Sequence, residues 1–165
     1  MSTKKFLISA VIILFAASFS FAADEDMMAF TKNMRQMDNI ADQIEMVASE
    51  LDSKIRNPNE WYTKQSHETE WAYLVDDMEM MTKHANALKK MDGLKDWQKT
   101  LVDKMTSLTA AMTQQVNDAT KFLKDVQSIA QFNSDEYKAR VAALHTYADR
   151  INSLANYGKT RCEFE

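Results

Sequence analysis

Glycine and proline are nearly missing from this chain. Gly93 and Gly158 are the only glycines among its 165 residues, and Pro58 is the only proline. A β-protein of that length needs many more turn residues, so an all-β fold is excluded. Cysteine is as scarce. Cys162, in the tail GKTRCEFE, is the only one, and a single cysteine cannot form a disulfide within its own chain. It can link two chains into a homodimer, take a small-thiol cap, or be a tail thiol with no role. Positive charge is also in deficit, with a formal net charge of −4. An acidic chain is repelled by nucleic acid and by anionic lipid, so neither is an expected partner. Site motifs are missing too. There is no CxxCH for covalent haem and no Glu-x-x-His of the bridged di-iron type, since His67-x-x-Glu70 runs in the opposite order. Without a nucleophile motif or a Gly-rich phosphate loop, an enzymatic reading has no residue to stand on.

What is present begins with an address. The chain opens MSTKKFLISAVIILFAASFSFAADED. Lys4 and Lys5 make a basic start, Phe6 to Ala17 is apolar, and Ser20-Phe21-Ala22 is a small-x-small cleavage signal. This is the grammar of a secretory signal peptide over residues 1–22, cut between Ala22 and Ala23. The apolar run is shorter than the roughly 20 residues of a membrane span, so no stable insertion is expected after cleavage. No cysteine follows the cut, which argues against a lipoprotein. Two lysines beside a short apolar stretch look bacterial, and the expected destination is the periplasm or the exterior. Loss of Lys4 and Lys5 takes the charge from −4 to −6.

Scarce breakers with abundant Ala, Met, Lys, Asp and Glu predict long helices. Met27, Phe30, Met34, Met37, Ala41, Ile44, Ala48, Leu51 and Ile55 alternate by three and four over about four heptads, an a/d seam. Asn57-Pro58-Asn59 stops it. The second segment repeats the spacing at His67, Trp71, Leu74, Met78, Met81, Ala85 and Leu88. Gly93 closes it with a left-handed cap. The third runs through Leu94, Trp97, Leu101, Met105, Leu108, Met112, Val116, Ala119, Leu123, Val126 and Ala130. Asn133 then caps the fourth helix, with Glu136 three residues on. Tyr137, Val141, Leu144, Ala148, Ile151 and Ala155 form its seam, and Gly158 ends it.

The expected fold class is therefore all-α. Four amphipathic helices joined by short turns predict an up-down-up-down antiparallel four-helix bundle over residues 23–158, with 159–165 as a tail. The first three helices are expected to run about 30 to 38 residues, or about 45 to 57 Å, with the fourth shorter.

Three candidate sites follow from this register. In VDDMEMMTKH (residues 75–84), methionines crowd beside a histidine. A turn centred near residue 58 levels Met34 and Met37 with Met78 to Met81, and the next turn adds Met105. Thioethers are soft donors that prefer Cu(I) or Ag(I). Met at seam positions is also ordinary flexible core filling. Met80 and His84 are the informative pair, because they lie four apart on one face and off the seam. Met34 and Met37 are candidate further ligands. Second, a turn near residue 133.5 would set His67 and His145 about 4.5 Å apart in height, where they could face each other as haem or metal ligands. The plainer reading is a pair of hydrogen-bonded or partly exposed histidines. Third, Trp61, Tyr62, Trp71 and Tyr73, with Phe132 and Tyr137, gather at one end of the bundle. They read as a small-molecule pocket, a partner surface, or a plug sealing the core.

One resemblance adds to this. Ala23-Asp24-Glu25-Asp26-Met27, with Phe30, Asn33, Met34, Arg35, Met37 and Asp38, resembles the first helix of the small soluble periplasmic b-type cytochromes. Those are four-helix bundles that hold one haem between a Met early in the first helix and a His late in the last, in a Tyr-His context. Met27 stands at the Met position. The other place reads Asn156-Tyr157-Gly158, so Gly158 stands where the His would be. The resemblance implies a periplasmic bundle without the family's haem site. The expectation is thus a non-enzymatic bundle that binds an unknown protein or small molecule, with no cofactor. Copper, silver or haem b is the alternative.

Overall fold

The computed structural model describes residues 3–57 and 63–164. They form four α-helices and no strand: α1 (Thr3–Arg56), α2 (Lys64–Lys89), α3 (Asp96–Asp125) and α4 (Asp135–Glu163), with a short 3₁₀ turn at Ile129–Asn133 between the last two. The helices pack together, α1 on α2 and α4, and α3 on α2 and α4. Among the described residues no helix is long and apolar enough to cross a membrane.

Local chemistry sets the boundaries. Lys54 and Arg56 lie in the last turn of α1, where cations suit the negative end of the helix dipole. The expected stop at Pro58 and Asn59 falls outside the described residues, as do Trp61 and Tyr62 of the expected aromatic group. Thr63 caps α2, its hydroxyl accepting from the Ser66 amide at 3.3 Å. Gly93 takes φ +74°, the left-handed conformation expected of it, but it does not cap α2: the cap is Lys90, three residues earlier and right-handed at φ −89°. The Lys95 amide donates to the Gln98 side chain at 2.8 Å at the start of α3. The cap of α4 is Ser134 rather than the expected Asn133. Its Oγ accepts from the Tyr137 amide at 3.2 Å, and Asp135 and Glu136 complement the helix dipole.

The seam residues of α1 from Phe30 to Ile55 are buried, and so is every one expected on α2 and α4. Three further expectations need correction. The third helix stops at Asp125, not Ala130. Val126 turns extended and the Gln131 side chain accepts from the Gln127 and Ser128 amides at 2.6 and 2.9 Å. This break leaves Ala130 exposed and swings Phe132 into the core. Within α3, Thr109 is buried where Leu108 was expected, because the apolar stripe drifts around a helix of 3.6 residues per turn. Finally, Gly158 does not end α4, which continues to Glu163 and is 29 residues long against 26 for α2. The fourth helix is thus not the short one. Gly158 is buried because its missing side chain lets Leu101 approach, with Cδ2 2.7 Å from where a Cβ would stand.

Candidate functional site

At the end of the core where α2 begins and α3 gives way to α4, the first turns of α2 and α4 bring His67, Trp71 and Tyr137 together. Trp71 Nε1–H donates to the Tyr137 hydroxyl at 2.9 Å. The hydroxyl proton then goes to His67 Nδ1, also 2.9 Å away. That bond leaves the ring proton of neutral His67 on Nε2. Phe132 stacks flat on the imidazole at 3.9 Å, and Phe122 stacks on Tyr137 at 5.7 Å. His67 is 2% exposed. Burial first, and the nearby Lys54 charge second, push its pKa down to about 4. Burial likewise drives the Tyr137 hydroxyl well above its ordinary range. Both groups are neutral across ordinary pH, and the cluster packs as a plug of aromatic rings. Tyr73 of the expected aromatic group points outward instead.

Beside the plug lies a feature that the seam pattern did not signal. Lys54 is buried on α1, and its Nζ donates to Glu70 Oε1 at 2.6 Å and to the Ser66 carbonyl at 3.3 Å. The pair bolts the end of α1 to the start of α2.

His145 has a separate set of partners from His67. It sits on α4 against α1, its Nδ1–H donating to Glu45 Oε1 at 2.6 Å, with Nε2 3.7 Å from Asp52 Oδ2. The expected register at this turn was wrong because α3 ends early: Phe122, not a later residue, stands level with Tyr137. The structure therefore gives His145 an α1 carboxylate as neighbour and His67 an aromatic cage.

The methionines separate into two classes. Met34, Met37, Met78, Met81 and Met105 are all buried in the common core, joined by Met112. Met80 is different, at 46% exposed. Its neighbour one turn on, His84, donates from Nδ1–H to Asn33 Oδ1 at 2.9 Å. Asn33 Nδ2 in turn donates to the Ala29 carbonyl at 2.9 Å. Partial burial first, then Lys83 and Lys32, lower the His84 pKa. Asn33 was not among the expected site residues, although the same height rule that levelled the methionines sets it across from His84.

Gly158 sits in a close contact between helices. Around Gly158 the space is taken by Leu101 and by Met34, whose Sδ lies 3.4 Å from the position of a Cβ. Met27 Sδ meets Gln98 Nε2 at 3.8 Å. Cys162 is partly buried near the end of α4, and lines a shallow cleft with Met27, Met28 and Arg35. Between α3 and α4 an apolar groove of about 620 Å³ is lined by Leu108 and Leu154 and edged by Asp103, Lys104 and Arg150. Leu108 is thus shared between this groove and the core, against which it packs half-buried. Among the described residues, no three His, Cys, Asp or Glu side chains converge as a metal site. No protein-family model, curated protein or solved structure matches this chain.

Proposed function

We propose that this chain is an exported, non-enzymatic four-helix bundle that acts by binding a protein or small molecule. In this reading a signal peptide over residues 1–22 is cut between Ala22 and Ala23, and the bundle works in the periplasm or outside the cell. The helices run up-down-up-down. The cross-helix partners support that direction: Asp38 with Lys159, Asp42 with Asn152 and Glu45 with His145, so numbers rise on α1 as they fall on α4. Asn33 with His84 and Lys54 with Glu70 support the same sense between α1 and α2.

The observation that carries the binding reading is the use made of the reactive side chains. His67 and Tyr137 hold the aromatic plug, and His145 is tied to a carboxylate on the neighbouring helix. The one hydroxyl that meets a histidine, that of Tyr137 on His67, is sealed in the plug, and the Nδ1 of His145 faces the Glu45 carboxylate. Apolar side chains that the core covers only in part, as at Leu108 and Leu154, give a binding protein its material. Electron transfer through haem is the competing reading. Gly158, which has no donor atom, weighs against it.

The test is recovery of the protein from the periplasmic fraction, followed by N-terminal sequencing and an absorption spectrum. The account expects a first residue of Ala23 and no Soret band. A chain starting at Met1 in the membrane fraction would refute the export reading. Stoichiometric haem would refute the binding reading.

A further inference from the structure

We propose that Met80 and His84 form a surface site for a soft monovalent cation, Cu(I) or Ag(I). The inference goes beyond the binding reading, since a partner held elsewhere on the bundle would be untouched by its failure.

Residues four apart on α2 project from the same face, with Cβ atoms roughly 5–6 Å apart. A cation bridging a thioether and an imidazole fits that spacing without moving the backbone. The imidazole is already prepared. Asn33 Nδ2 is committed to the Ala29 carbonyl, so its Oδ1 faces His84 and takes the proton on Nδ1. Neutral His84 then keeps its lone pair on Nε2, the atom a metal would take. This is the arrangement by which an outer hydrogen bond fixes a ligating histidine. Partial burial first, then the charges of Lys83 and Lys32, lower the His84 pKa, and the same two charges repel a bound ion.

The thioether decides which ion. Met78 and Met81 on the same helix are buried, so the core explains them, whereas Met80 is half-exposed and fills no core space. A sulfur–nitrogen pair favours Cu(I) and Ag(I) over hard cations such as Ca(II) or Mg(II). Met34 and Met37 are fully buried and would have to leave the core to contribute, so the site rests on the two α2 side chains. Two donors suffice, because d¹⁰ monovalent ions accept two-coordinate geometry.

The experiment is an Ag(I) titration of the purified chain carrying Cys162→Ser, which removes a stronger thiolate donor. Binding is followed by NMR of the methionine methyl groups and the histidine ring nitrogens. The expected result is that the Met80 methyl and His84 Nε2 shift together and saturate together. Met80→Leu and His84→Ala should each abolish that response, while Met81→Leu should bind as the parent does. Asn33 acts as a positioning residue, and Asn33→Ala should weaken binding roughly tenfold and scramble the His84 tautomer. Circular dichroism of each variant checks that the fold is kept. The proposal is overturned if Ag(I) leaves Met80 and His84 unmoved, or if Met80→Leu and His84→Ala both bind with parental affinity.

Discussion

His67 and His84 stand on the same helix, and their surroundings have little in common. His67 is enclosed by Trp71, Phe132 and Tyr137, and its Nδ1 accepts a proton from a tyrosine hydroxyl. His84 lies at the margin of the α1–α2 contact, and its Nδ1 gives a proton to an amide oxygen. The two rings are therefore held in opposite tautomers. One has a face stacked on Phe132 and its Nδ1 committed to Tyr137. The other leaves its Nε2 with a lone pair, one helical turn from the half-exposed Met80. The chemistry of a histidine in this chain is set by what the neighbouring helix presents to it.

The largest effect should come from opening the closed end. Trp71→Ala removes a fully buried indole and the donor to Tyr137, and should cost about 3–5 kcal/mol in urea unfolding. A loss under about 1 kcal/mol would mean that the plug is not part of the core.

Next in size is the acid response of His67. Its folded pKa of about 4 lies below the ordinary 6.5, so between those values the unfolded chain binds a proton that the native chain refuses. Stability contributed by the neutral ring is fully present above pH 6.5 and is lost as pH falls towards 4. The shift corresponds to about 3 kcal/mol once both limits are passed. His67→Leu should remove that part of the acid dependence while other groups keep theirs. An unchanged pH profile in the variant would show that His67 is not buried as described.

The smallest effect is expected at the open histidine. His84→Ala removes one partly exposed hydrogen bond and should change stability by only about 0.5 kcal/mol, within the usual range for surface substitutions. A loss comparable to that of Trp71→Ala would erase the distinction between the two regions.

How much of this was legible in the sequence depends on the kind of signal. The seams of α1, α2 and α4 were readable because burial repeats at helical spacing, and Gly93 because a tight turn needs its conformational freedom. Leu108 and Ala130 were misplaced because a stripe is followed more easily than its drift, and because nothing in FNSDE (residues 132–136) announces that the break falls earlier, at Val126. Gly158 was read as a stop, since a glycine at a helix end and one at a close helix contact look alike until the neighbour is known. At the candidate sites, Asn33 followed from the α1–α2 turn and could have been found. Glu45 could not, because the α1–α4 register depends on three successive turns, and the third was displaced. Lys54 carried no signal at all: a lysine buried with a carboxylate looks like any solvated lysine in a helix.

The most direct test of the contrast is a nitrogen-15 NMR spectrum of the histidine side chains near neutral pH, correlating each ring nitrogen with the ring carbon-bound protons. The account predicts His67 with its proton on Nε2 and an unprotonated Nδ1, and His84 with its proton on Nδ1 and an unprotonated Nε2. The same tautomer at both residues, or a doubly protonated His67, would contradict it.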